Sequence, residues 1–112
     1  MGDNLPEVDV GADFVTVGLM LSEYESCVLS LSGEIKCFGC GCRLGYGDNG
    51  QCRGDDADEM GDNLPVLDLG TGFSVSTMAP GSVAEFNCVA DLNFNERWKC
   101  WGYDHKHLYF SF

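Results

Sequence analysis

The sequence predicts an all-β chain built from one structural unit used twice. Three observations carry that expectation. MGDNLP stands at residues 1–6 and again at 60–65, and the match continues through Asp9/Asp68, Gly11/Gly70 and Phe14/Phe73. A repeat of this kind marks a modular array whose neighbouring units stack on one another. Short runs rich in Val, Ile, Thr, Phe and Trp alternate with turn residues, as strands do. Fifteen glycines against three prolines favour many tight turns, and no stretch shows a sustained helical period.

The elements follow in order when the two copies are laid side by side. FVTVGLML (14–21) pairs with FSVSTM (73–78) as the first strand of each unit. YESCVLSL (24–31) pairs with EFNCVADL (85–92), and EIKCFG (34–39) with ERWKCWG (96–102). LSG (31–33) reads as a tight hairpin turn in which Gly33 supplies a positive φ. The equivalent turn, LNFN (92–95), is longer, and Asn93 and Asn95 tolerate the same left-handed backbone. Trp98 and Trp101 fall on opposite faces of one strand, one of them packing between units. The boundaries expected are 1–59 for the first unit, with an acidic linker at 53–59, and 60–112 for the second, truncated at its C-terminal end.

A net charge of −12 repels phosphate backbones, so direct nucleic-acid binding is not expected; the charge keeps the chain soluble, or else suits a basic partner protein. No basic segment followed by an apolar run opens the chain, and FVTVGLML is too short to span a bilayer. The expectation is an intracellular protein, cytoplasmic or nuclear, away from membranes. Met1 occupies the place of Met60 inside the repeat, so it need not be the natural start of the array. The acidic run RGDDADEMGDN (53–63) reads as a solvated loop. Asp56, Asp58 and Gly61 match the first positions of a calcium loop, but Met60 and Leu67 stand where further ligands are required.

CVLSLSGEIKCFG (27–39) and CVADLNFNERWKCWG (88–102) share a pattern of Cys, β residues, a turn, then Lys-Cys-aromatic-Gly; RLGYGD (43–48) follows the first. Together with the MGDNLP linker, this resembles the repeat of the regulator of chromosome condensation family. The resemblance implies four-stranded antiparallel blades of a β-propeller, typically seven in a complete ring. Two blades leave the ring incomplete. The chain is then a fragment of a longer array, a self-assembling module or a remnant, with flanking repeats or other copies needed to cover its sides. Phe38 in place of Trp, Arg43 in place of Gln, and a second unit ending in YDHKHLYFSF (103–112) depart from the family pattern.

Cys27 and Cys37 are symmetric about Ser32 in the hairpin turn, and Cys88 and Cys100 about Phe94. These are structural cysteine pairs on opposed strands. Either buried thiols or cross-strand disulfides fit, and the lack of a secretory segment favours thiols. Cys37, Cys40, Cys42 and Cys52 form C-x2-C-x-C-x9-C, an alternative thiol-based metal or redox set that lacks paired zinc knuckles. The glycine-rich segment 39–50 contains neither phosphate-loop pattern, so Gly45 and Gly47 join Gly33 as turn glycines. His105 and His107, with Asp104, read as a frayed polar turn.

No arrangement of residues points to a nucleophile or an acid–base pair, so neither catalysis nor a cofactor is expected. The expected function is a protein-interaction scaffold. The family resemblance offers guanine-nucleotide exchange on a small GTPase, or chromatin or ubiquitin-ligase scaffolding, and fold alone does not choose among them.

Overall fold

In a computed structural model the chain forms two antiparallel three-stranded sheets. The structure describes residues 2–21, 25–40, 44, 46, 52–80, 86–93 and 97–102. The first sheet runs in the order β1 (Thr16–Leu21), β2 (Glu25–Ser30) and β3 (Ile35–Gly39). The second runs β4 (Thr77–Pro80), β5 (Phe86–Asp91) and β6 (Arg97–Gly102). Short 3-10 turns at Gly2–Asn4 and Gly61–Asn63 are the only helical elements among the described residues. The chain is all-β, as its strand-rich, glycine-punctuated sequence requires.

Corresponding strands share a register. Met20 faces Cys27 and Cys27 faces Cys37 in the first sheet; Ala79 faces Cys88 and Cys88 faces Cys100 in the second. Each sheet therefore presents two distinct faces, because successive side chains alternate. The face of the first sheet carrying Met20, Cys27, Leu29, Ile35 and Cys37 packs against Leu67, Val75, Val89 and Trp101 of the second unit, forming one core. Ile35, Cys27, Cys37 and Val89 are all fully buried there. Trp101 lies in this core and Trp98, on the other face, is largely exposed.

The first strand of the second unit differs from the expected 73–78. It begins at Thr77, because the preceding segment is held elsewhere. Val75 N donates to Gly33 O at 2.9 Å, and Ser74 N donates to the Asp91 carboxylate at 3.2 Å. The hairpin turn of the first unit thus captures the approach to β4. Gly33 makes this possible: its φ is +88°, and a Cβ there would fall 2.0 Å from Ser74 Oγ. Gly45 and Gly47 lie outside the described residues.

Beyond β3 the chain turns back, and Gly39 and Arg53 form an isolated antiparallel bridge with reciprocal 2.8 Å hydrogen bonds. Leu44, almost fully buried, joins the core from the intervening loop. Tyr46 Oη lies 3.0 Å from both N and O of Cys37 and 2.7 Å from Pro65 O, tying β3 to the second linker. The Arg53 guanidinium stacks 4.2 Å from the Tyr46 ring centroid. Among the described residues a single bridge stands beside β3, and each sheet has three strands.

Candidate protein-interaction site

The linker of each unit is organised by the same contacts. Asp9 Oδ1 accepts from Gly11 N at 3.1 Å, and Asp68 Oδ1 accepts from Gly70 N at 3.0 Å. Each is a local Asx turn, the conformation a short carboxylate favours. Lys36, in Lys-Cys-aromatic-Gly, donates to Val10 O at 2.6 Å; Lys99 donates to the equivalent Leu69 O. Each ammonium also sits over the linker aromatic ring, at 5.1 Å for Phe14 and 5.0 Å for Phe73. Gly11 and Gly70 have φ of +122° and +94°, and a Cβ on either would lie 2.9 Å from the lysine nitrogen. The shared letters Asp, Gly, Phe and Lys are thus one packed device, built twice.

The second linker also locks onto the first unit. Gly61 N donates to Asp9 O at 2.8 Å, Asp62 Oδ1 accepts from Ala12 N at 2.9 Å, and Leu67 N donates to Ile35 O at 2.8 Å. Lys36 reaches Gly61 O at 3.4 Å as well, so its one buried cation serves both linkers. Buried Asn87 donates to the buried Glu25 carboxylate across the two sheets. The two linkers are thus bonded to one another, and Asp3, Glu7, Asp13, Asp55, Asp56 and Asp58 are each exposed.

The acidic loop is more ordered in its bonding than a solvated run requires. Glu59 Oε2 accepts from the backbone N–H groups of Gly54 at 2.8 Å and of Asp55 and Asp56 at 3.1 Å. Those bonds, first from Asp56 and Gly54, hold the Glu59 carboxyl below its ordinary range. The hydrogen bond to Glu59 in turn raises Asp55. The loop is an anion-binding nest filled by the chain's own carboxylate. Asp55, Asp56 and Glu59 bring carboxylate oxygens within 4.8 Å of one another; Asp58, left-handed at φ 68°, turns the chain beside them.

The cysteines are held as disulfides: Cys27–Cys37, Cys88–Cys100 and Cys40–Cys52. Reduced packing thiols were the expectation; instead each cross-strand pair is bonded. Opposed β positions bring the sulfurs together, and the bond forms where the thiols can be oxidised. Cys37 and Cys40 thus have separate partners, and the described members of the Cys37, Cys40, Cys42, Cys52 set do not converge on one point. Cys42 lies outside the described residues, as do Asp104, His105 and His107.

The two hairpin turns are closed differently. In the first, Ser30 Oγ and Ser32 Oγ are 2.9 Å apart and Glu34 N donates to Ser30 Oγ at 3.0 Å. In the second, buried Asp91 accepts from Arg97 at 2.7 Å and from Asn93 N at 3.0 Å. The Arg97 bond is the main reason the Asp91 carboxyl titrates below its ordinary value. Sequence reading missed Lys36, Lys99, Glu59 and this pair as organising residues; only the recurrence of lysine in both copies signalled any of them.

A groove of about 200 Å³ runs between the Gly33–Ile35 turn and linker residues 66–70. That is below the roughly 300–1,000 Å³ of typical small-molecule sites. Among the described residues no helix is long and apolar enough to cross a membrane. Compared with family models, curated proteins and solved structures, the chain matches none.

Proposed function

We propose that the chain is a protein-interaction scaffold made of two stacked repeats of the regulator of chromosome condensation type, presenting its acidic linkers to a basic partner protein. The observation that carries this reading is the bonding of the two linkers to one another through Lys36, with exposed carboxylates on both. Support for the propeller interpretation comes from the common register of the sheets, their stacking through one core, and the Gly39–Arg53 bridge at the place of a fourth strand. In such a ring each sheet is a blade and further blades complete the circle. A chromatin protein tail or a basic patch on a small GTPase has the required charge.

The test is equilibrium binding to a lysine-rich peptide and a neutral peptide of equal length, at low and high salt. Binding should be confined to the lysine-rich peptide, weaken with salt, and fall in a D55K/D56K variant. Equal binding to both peptides, or to neither, overturns the reading. Nucleotide release from a Ran-type GTPase, measured with and without the chain, then separates exchange from simple docking.

A further inference from the structure

Two of the disulfides repeat and one does not. Cys27–Cys37 and Cys88–Cys100 occupy the same place in each hairpin. Paired residues flank both: Ser26/Phe38 and Val28/Lys36 in the first, Asn87/Trp101 and Val89/Lys99 in the second. Cys40–Cys52 instead stands at the end of the isolated Gly39–Arg53 bridge, with only that pair beside it. Cys40 is also the one exposed cysteine among the described residues, and Cys52 is half-buried. An exposed disulfide is open to attack by a thiol where a buried one is not. What this bond holds in place is the outer edge of β3. Alternate residues of an edge strand turn their backbone groups away from the sheet, where they need a cover. Ile35 O accepts from Leu67 N at 2.8 Å, Cys37 N donates to Tyr46 Oη at 3.0 Å, and Gly39 and Arg53 exchange two bonds of 2.8 Å. Of those covers, Tyr46 lies within the loop that Cys40–Cys52 closes and Arg53 adjoins it; the Arg53 guanidinium stacks on the Tyr46 ring.

We propose that Cys40–Cys52 is a redox latch, whose reduction by a small thiol uncovers β3 at Cys37 and Gly39 while both hairpin disulfides and the fold remain. A thiolate attacks Cys40, the S–S bond breaks and its electron pair passes to Cys52; a second thiol then resolves the mixed disulfide. The two thiols supply two electrons and two protons to the chain and leave as their own disulfide. Once the bond is gone, the isolated bridge is left to hold Arg53 against β3, and the entropy of closing the loop works against it. The hairpin sulfurs stay close after any reduction, because their neighbours remain paired, and a high effective concentration re-forms those bonds. The inference rests on the disulfides and the β3 edge alone, so it is independent of the basic partner.

The test is made on the full chain carrying Cys42→Ser, so that the seventh cysteine cannot reshuffle the bonds. Graded mixtures of reduced and oxidised glutathione are followed by alkylation and mass spectrometry. Cys40 and Cys52 should become alkylated in mixtures at least about tenfold more oxidising than either hairpin pair requires. At that point amide exchange, read by NMR, should speed up at least about tenfold at Cys37, Gly39 and Arg53. It should stay unchanged at Lys36 and Phe38, whose backbone groups face β2. Cys40→Ser/Cys52→Ser should give the same pattern with no reductant present. Tyr46→Phe in the oxidised chain should speed exchange at Cys37 and not at Gly39. A hairpin pair reduced as early, exchange at Cys37 and Gly39 that reduction leaves unchanged, or exchange that rises equally along β3 overturns the proposal. Where the double serine variant fails to fold, the glutathione series decides by the same criteria.

Discussion

Lys36 is 7% exposed and donates to two backbone carbonyls, Val10 O and Gly61 O. Its counterpart Lys99 is less buried and serves Leu69 O. A hydrogen bond to a charged group contributes about 1.5–3 kcal/mol, and a buried acceptor left bare is costly. Lys36→Met keeps the apolar stem over Phe14 and strips both bonds, so it should cost about 3 kcal/mol; Lys99→Met should cost about half that. Urea midpoints at constant m-value measure both, and equal losses would refute the two-linker role of Lys36. This device was hardly legible beforehand. The lysine recurs in both copies, but its partner is a main-chain carbonyl, which carries no side-chain signature. Asp91 makes a second residue-level case. Its folded-state pKa is depressed from 3.8, chiefly by Arg97. The stability it contributes is therefore complete above about pH 4 and is lost as pH falls through the depressed value. Amide exchange at Ser74 and Asn93 should accelerate in that acidic window, and D91N should abolish the dependence.

Each hairpin carries a disulfide across its strands, but the two bonds sit in different surroundings. Cys27 and Cys37 are fully buried between the sheets, whereas Cys88 is only half-buried and Cys100, opposite it, is 6% exposed. Closing a loop of this size contributes about 2–4 kcal/mol by restricting the unfolded chain. The Cys27→Ala/Cys37→Ala pair should pay that amount plus about 1 kcal/mol for lost core contacts. The Cys88→Ala/Cys100→Ala pair should lose the loop term and a smaller packing share, because Cys100 is buried but Cys88 only half-buried. Denaturant unfolding of both double variants decides the order, and a greater loss from the second pair would contradict the core placement. Mass spectrometry after alkylation without reductant should show at most one modified cysteine, since six are bonded. Strand positions were legible here because alternation and turn glycines are local signals. The oxidation state of sulfur was not, since it depends on the redox surroundings as much as on spacing. Cys40–Cys52 had no counterpart in the second unit to suggest it. The late start of β4 was hidden for a related reason: Ser74 and Val75 are claimed by a distant turn and a distant carboxylate.

Over the whole molecule, a formal charge of −12 acts on a fold whose described cations are already engaged. Lys36 and Lys99 are spent on backbone carbonyls, and Arg97 is paired with Asp91. The exposed carboxylates, among them the clustered Asp55, Asp56 and Glu59, therefore repel one another. Screening should relieve that repulsion over distances near the Debye length, about 10 Å at 0.1 M salt. The opposing loss, weakening of Asp91–Arg97, concerns one pair whose acidic member is buried and thus less screened. Repulsion among many exposed groups outweighs it, so the melting temperature should rise with sodium chloride at neutral pH. Neutralising part of the linker charge in D55N/D56N should shrink that rise, while Asp91→Asn should leave it nearly intact. Thermal scans at fixed, low protein concentration make the comparison. A melting temperature that falls with salt would mean that ion pairing outweighs linker repulsion.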